Sequence, residues 1–185
     1  MIKQAIEVYY NKINVNSDYC KGVDFSYVSK EIKQQFDRGK KLIKRAELTD
    51  ITCFKDRFGI ALPLEIERYI NEYWHAWIYG YCNIAECIVL FSVLKREGDS
   101  VNEVIYYKNS LMDLSNRWSK IGNIYKYIPI GWLDNSGGFV LYDINTSKIY
   151  IEDVDANQEG TTSEYPIANS LEDLIMNLEI KRNQE

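Results

Sequence analysis

Between residues 125 and 153 the chain alternates three runs of strand-forming residues with two very short links, and this constrains the fold more than any other feature. Residues 125–133, 138–144 and 148–153 are rich in Tyr, Ile, Val and Phe, which suit a pleated, half-buried surface. The links Asp134-Asn135-Ser136-Gly137 and Asn145-Thr146-Ser147 hold turn residues only. A parallel neighbour needs a crossover of about a dozen residues or more, so these strands must form antiparallel hairpins. Pro129 cannot donate to a ladder, which places its strand at an edge or bulges it at that point.

Elsewhere the apolar period is mostly helical. Ile2, Ile6, Tyr9 and Ile13 predict an amphipathic helix through about residue 12. Phe25, Val28, Ile32 and Phe36 mark a second helix opened by Asp24. Asp50 caps a short helix carrying Phe54 and Phe58, which Gly59 ends in the left-handed conformation. Pro63 fits the first position of the next helix, with Glu65 and Glu67 at the positive end of its dipole and Ile66, Ile70 and Tyr73 inward. Residues 74–81 and 84–94 read as strands. Ser100 and Glu103 have capping-box spacing, and Val104, Tyr107, Leu111, Leu114 and Trp118 keep a helical period behind them. Ser170 opens a final helix with Leu171, Leu174, Ile175 and Leu178 inward. The order is helices, two strands, helix, three strands, helix. It predicts an α+β fold, a single mainly antiparallel sheet with helices packed against it. At 185 residues the chain has the length of one domain, with residues 1–50 as a helical N-terminal extension.

Much familiar chemistry is excluded. His75 is the only histidine, which rules out two-histidine zinc and iron sites, and its place between Trp74 and Trp77 reads as structural. Neither GxGxxG nor GxxxxGK[ST] occurs, and no GxSxG elbow accompanies His75. Asp153, Asp155 and Asn157 alternate like the start of a calcium loop. Counted from Asp153, however, the sixth position holds Gln158 where such a loop requires glycine, so no metal site and no cofactor are expected. Cys20, Cys53, Cys82 and Cys87 lack CxxC spacing and read as free thiols of a reducing compartment. The N-terminus has no signal-peptide pattern and no run is long enough to span a bilayer, so the expected location is cytoplasmic, without membrane insertion. A pair of carboxylates close in space, as in a hydrolase, remains open to this chain.

The net charge of −5 is unevenly spread. Through Phe58 there are twelve Lys and Arg against eight Asp and Glu; the basic run 38–45 reads as a solvated helix face. Between Tyr127 and Leu178 Lys148 alone opposes nine carboxylates. Direct nucleic-acid binding is therefore disfavoured, because it needs clustered cations. A hairpin sheet would gather this acidity at its rim, where it serves either solubility or the docking of a cationic protein. Asp134, Asp143, Glu152, Asp153 and Asp155 are the candidate charges, and Trp132 the candidate anchor.

Several segments together resemble the SUKH superfamily, a group named partly for yeast cell-wall synthesis regulators. They are Leu62-Pro63-Leu64-Glu65-Ile66, Tyr127-Ile128-Pro129-Ile130-Gly131, Gly138-Phe139-Val140-Leu141-Tyr142-Asp143, Lys148-Ile149-Tyr150 and the helix after Ser170. The long helix between sheet strands is similar to the Syd-like branch. The resemblance covers about residues 54–178. It implies a non-enzymatic binding scaffold, with a sheet backed by helices. Bacterial members are widely regarded as immunity proteins that neutralise toxins, many of them nucleases, so the expected partner is a cognate toxin domain. Syd itself is associated with the SecY translocon, which makes translocon contact the alternative.

Overall fold

The computed structural model describes residues 2–14, 29–37, 42–46, 51–75, 78–84, 86–91, 93, 112–114, 126–153 and 162–179. The helices are α1 (Ile2–Asn14), α2 (Lys30–Asp37), α3 (Thr52–Phe58), α4 (Leu64–Asn71) and α5 (Leu171–Asn177). The strands are β1 (Ile43–Lys44), β2 (Tyr73–Trp74), β3 (Ile78–Gly80), β4 (Ile88–Leu90), β5 (Tyr127–Leu133), β6 (Phe139–Asp143) and β7 (Ile149–Ile151).

The fold is α+β, with two antiparallel sheets where one was expected. β3 to β7 lie side by side in chain order as a five-stranded sheet, and β1 pairs with β2 in a small second one. The expected strand 74–81 is thus divided between two sheets. Its Trp74 end turns towards Ile43, and His75 exchanges both backbone hydrogen bonds with Val93 (2.9 and 3.0 Å). Of the expected helix after Ser100 only Met112–Leu114 lies within the described residues, and it is helical.

Pro129 lies in the middle strand, so the bulge and not the edge accommodates it. The β5–β6 register shifts between Pro129 and Gly131, leaving Ile130 as the extra residue. The carbonyl of Ile130 accepts the Phe91 N–H at 3.0 Å. At Gly131 β4 comes so close that a Cβ would stand 2.3 Å from the Val89 carbonyl oxygen.

Helices pack on one sheet face, and their stripes merge into one core running from Ile2 and Tyr9 through Phe54, Ile66 and Ile70 to Leu171 and Leu178. The N-terminal helix is therefore part of the main core and not an appendage to it. On the other face Leu114 packs with Phe139 and Leu141, flanked by Tyr127 and Tyr150.

Local signals explain several helix ends. Gly59 closes α3 at φ 68°, where glycine has no steric cost. Asp50 lies outside the described residues, and the cap position of α3 is Ile51. Pro63 sits at the cap of α4, one residue earlier than predicted, and Tyr69 takes the buried position expected of Tyr73. The Ser170 hydroxyl accepts the Asp173 N–H at 3.0 Å, an N-cap of the expected kind. Glu65 has a second role: its carboxylate accepts the Glu172 N–H at 3.0 Å, so the start of α4 caps the start of α5.

Both edges of the large sheet are occupied. Along β7, Ile149 bonds through its N–H to Ala168 and through its carbonyl to Ile167, while Ile151 meets Ser163 on both sides. Along β3, Tyr81 exchanges two backbone bonds of 2.8 Å with Glu179, and Tyr79 bonds to the Tyr9 side chain.

Candidate functional site

The strand register assembles an acidic rim at one end of the large sheet. The Leu133 N–H donates to the Gly138 carbonyl, which closes the β5–β6 loop at this end. Asp134 donates its N–H to Cys87 and Glu86 accepts the Ser136 N–H at 2.9 Å, so the start of β4 lies beside that loop. Glu152 donates its backbone N–H to the Phe139 carbonyl, bringing Asp153 to the same end, and Glu179 arrives there through its bridge to Tyr81. With ~4.8 Å between strands, Glu179, Glu86, Asp134 and Asp153 spread over about 24 Å. Glu86 is half-buried and the other three are exposed. Among the described residues of the segments that build this rim (78–84, 86–91, 127–147, 149–153 and 162–179) there is no Lys or Arg.

Neighbouring thiols register the accumulated charge. Burial pushes the Cys87 thiol up, and the charge of Asp134 adds to it. Cys82 is pushed up first by burial and then by Asp173 and Glu179. Both thiols are free, and both are shifted away from the thiolate that a nucleophile or metal ligand requires.

The candidate charges divide into two groups. Asp134 and Asp153 are exposed on the rim, whereas Asp143 and Glu152 are buried and do not form part of a surface. Asp143 accepts the N–H groups of Asn145 (2.9 Å) and Thr146 (3.3 Å) and pairs with Lys126 at 3.1 Å. Glu152 accepts the Phe139 N–H at 3.0 Å through its side chain. A carboxylate leaves water when backbone donors replace its hydration, and both have found them. Asp155 lies outside the described residues. Trp132 is half-buried two residues before Asp134, flanked by Val89 and Phe139 on the neighbouring strands and tilted against Phe91 at 5.4 Å.

Sequence reasoning misses Glu86 and Glu179, which fall outside the acidic stretch 127–178. The signal for Glu86 was its place in the short link of the β3–β4 hairpin. Glu179 gave none, because it reaches the rim only through a bridge between distant segments.

Two other groups that the sequence singles out, His75 and Arg45, make internal contacts. His75 is fully buried with its ring 4.5 Å from that of Tyr69. Arg45, expected on a solvated helix face, is buried after β1; its guanidinium lies 3.9 Å from the centre of the Trp74 ring and donates to the Ile70 carbonyl at 2.6 Å. Of the two buried carboxylates, Glu152 is bonded to Phe139 at one end of β6 and Asp143 closes the other end of that strand. Among the described residues no cluster of His, Cys, Asp and Glu could hold a metal ion, and no helix is long and apolar enough to cross a membrane.

Compared with models of known families the sequence matches none, and no curated protein matches it.

Proposed function

We propose that this protein is a non-catalytic binder of a cationic protein domain, and that it acts as an immunity protein that occludes a cognate toxin. One observation carries the reading: Glu86, Asp134, Asp153 and Glu179 are arrayed across a sheet end whose segments contain no Lys or Arg. A rigid strip of like charge raises the encounter rate with an oppositely charged partner and repels acidic ones. A nuclease is a fitting target, because a surface that holds phosphates presents the cations such a strip would cover. Trp132, half-buried next to the rim, supplies an anchor of the kind that dominates interface energetics.

The test is co-expression with the product of the adjacent gene, scored as rescue from toxicity, followed by association kinetics on the purified pair. In the Asp134→Lys/Asp153→Lys variant the association rate constant should fall by about tenfold or more at low salt, and its salt dependence should flatten. Binding that is indifferent to both substitutions would overturn the surface assignment. Recovery of translocon or other membrane proteins in place of a toxin would favour the Syd-like alternative.

A further inference from the structure

The edge strand β3 is short, and neither it nor the four residues after it carries a charge or a proline. Ile78-Tyr79-Gly80-Tyr81-Cys82-Asn83-Ile84 thus lacks two of the devices that keep an exposed edge from pairing with another chain. Its protection is supplied from outside. The Tyr9 hydroxyl, on α1, donates to the Tyr79 carbonyl at 2.9 Å and accepts the Tyr79 N–H at 2.9 Å. In an antiparallel pair two opposed residues exchange the same two bonds, so one side-chain oxygen stands where a partner strand would. The next outward-facing residue, Tyr81, is closed by the backbone of Glu179. These two closures are tied to each other, since α1 packs on α5 and the Lys12 ammonium donates to the Met176 carbonyl.

We propose that α1 and the segment after α5 form a clasp over β3, with Tyr9 as its latch, and that opening the clasp turns β3 into a seam for a second copy of this chain. The occupant follows from the strand itself. An uncharged, proline-free edge whose outward N–H and carbonyl groups are released pairs best with an identical strand in antiparallel register, which satisfies all of those groups at once. The opposite edge does not compete, because Ile149 and Ile151 are bonded to residues 163–168, which lie directly along β7.

The test uses the full chain with Tyr9→Phe, which removes one oxygen and keeps the buried ring. The Tyr79 amide should exchange with solvent about tenfold faster or more, and sedimentation should show a concentration-dependent dimer. Glu179→Pro, which deletes the donor to the Tyr81 carbonyl, opens the other half of the clasp and should give the same dimer. Adding Tyr79→Pro to Tyr9→Phe should restore the monomer, because the outward donor is then missing from the seam. If both single variants stay monomeric, the proposal is overturned, whatever the Tyr79 amide does. A dimer that persists in the double variant overturns it as well, since pairing would then run through another surface.

Discussion

At the acidic end of the sheet, Gly137 donates to the Leu133 carbonyl (3.0 Å) and Leu133 to that of Gly138 (2.8 Å). At the opposite end the β6–β7 loop repeats this pattern, with Ser147 donating to Asp143 (2.8 Å) and Asp143 to Lys148 (2.9 Å). The fifth residue of each loop, counted from Leu133 and from Asp143, is left-handed, Gly137 at φ 69° and Ser147 at φ 61°. Even the hydroxyls correspond: Ser136 accepts from Gly138 and Thr146 from Lys148, each at 3.4 Å. The loops differ in where the aspartate falls. Asp143 stands at the first position, where its carboxylate folds back onto the loop amides and becomes internal. Asp134 stands one residue later, behind a leucine; Glu86 from the neighbouring hairpin serves the loop amide of Ser136, and Asp134 faces water. One residue of displacement separates a carboxylate that builds the protein from one available to a partner.

The comparison can be broken by removing the platform that carries both loops. Gly131→Ala would put a methyl group 2.3 Å from the Val89 oxygen and 2.9 Å from the Leu90 Cα, both backbone atoms that cannot swing aside. Denaturant unfolding should show a loss of about 3 kcal/mol or more. The aspartates themselves sharpen it. Asp143→Ala strands two loop amides and the Lys126 ammonium, for about 2 kcal/mol, whereas Asp134→Ala should stay within about 0.5 kcal/mol. Equal losses would contradict the contrast drawn between the loops. Gly137→Ser copies the second loop onto the first. No atom lies within 4 Å of the added Cβ, so the expected cost, about 1 kcal/mol, is that of the left-handed backbone alone.

The smallest effect is on pH dependence. The hydrogen bond to Asp143 raises the Lys126 proton affinity, against an opposing contribution from burial. A lysine raised on folding contributes its full stabilisation below its unfolded value and loses it as pH climbs through the folded one. Wild-type stability should therefore show a slight extra decline only through and above the ordinary lysine range. Lys126→Gln should abolish that increment. The increment is small because the Lys126 side chain is 40% exposed and screened by solvent.

How far the fold was legible depends on how local its determinants are. β5, β6 and β7 fall within two residues of expectation at every end, because alternation and turn residues are written side by side. The α5 cap is equally local. Residues 74–94 were harder, since nothing in an aromatic run says which of two sheets each half will join; that is set by Ile43 and Val93. The candidate site was legible in net charge and only half legible in residues. Asp143-Ile144-Asn145-Thr146 carries the signature of an aspartate bonded to amides two and three residues ahead, so its burial could have been anticipated. The burial of Glu152 could not, because its donor, Phe139, is presented by the neighbouring strand.

The bond from Glu65 to the Glu172 amide, and the packing of α1 on α5, tie α1 and α4 to a helix more than a hundred residues further along the chain. Such closure is of high contact order, which slows folding and delays its completion. A nascent chain on the ribosome would hold α1 and α4 without the partner that helps bury them until α5 has emerged. Maturation of this core therefore waits on the synthesis of α5, and a chain stopped a few residues before Leu178 should harm α1 as much as α5.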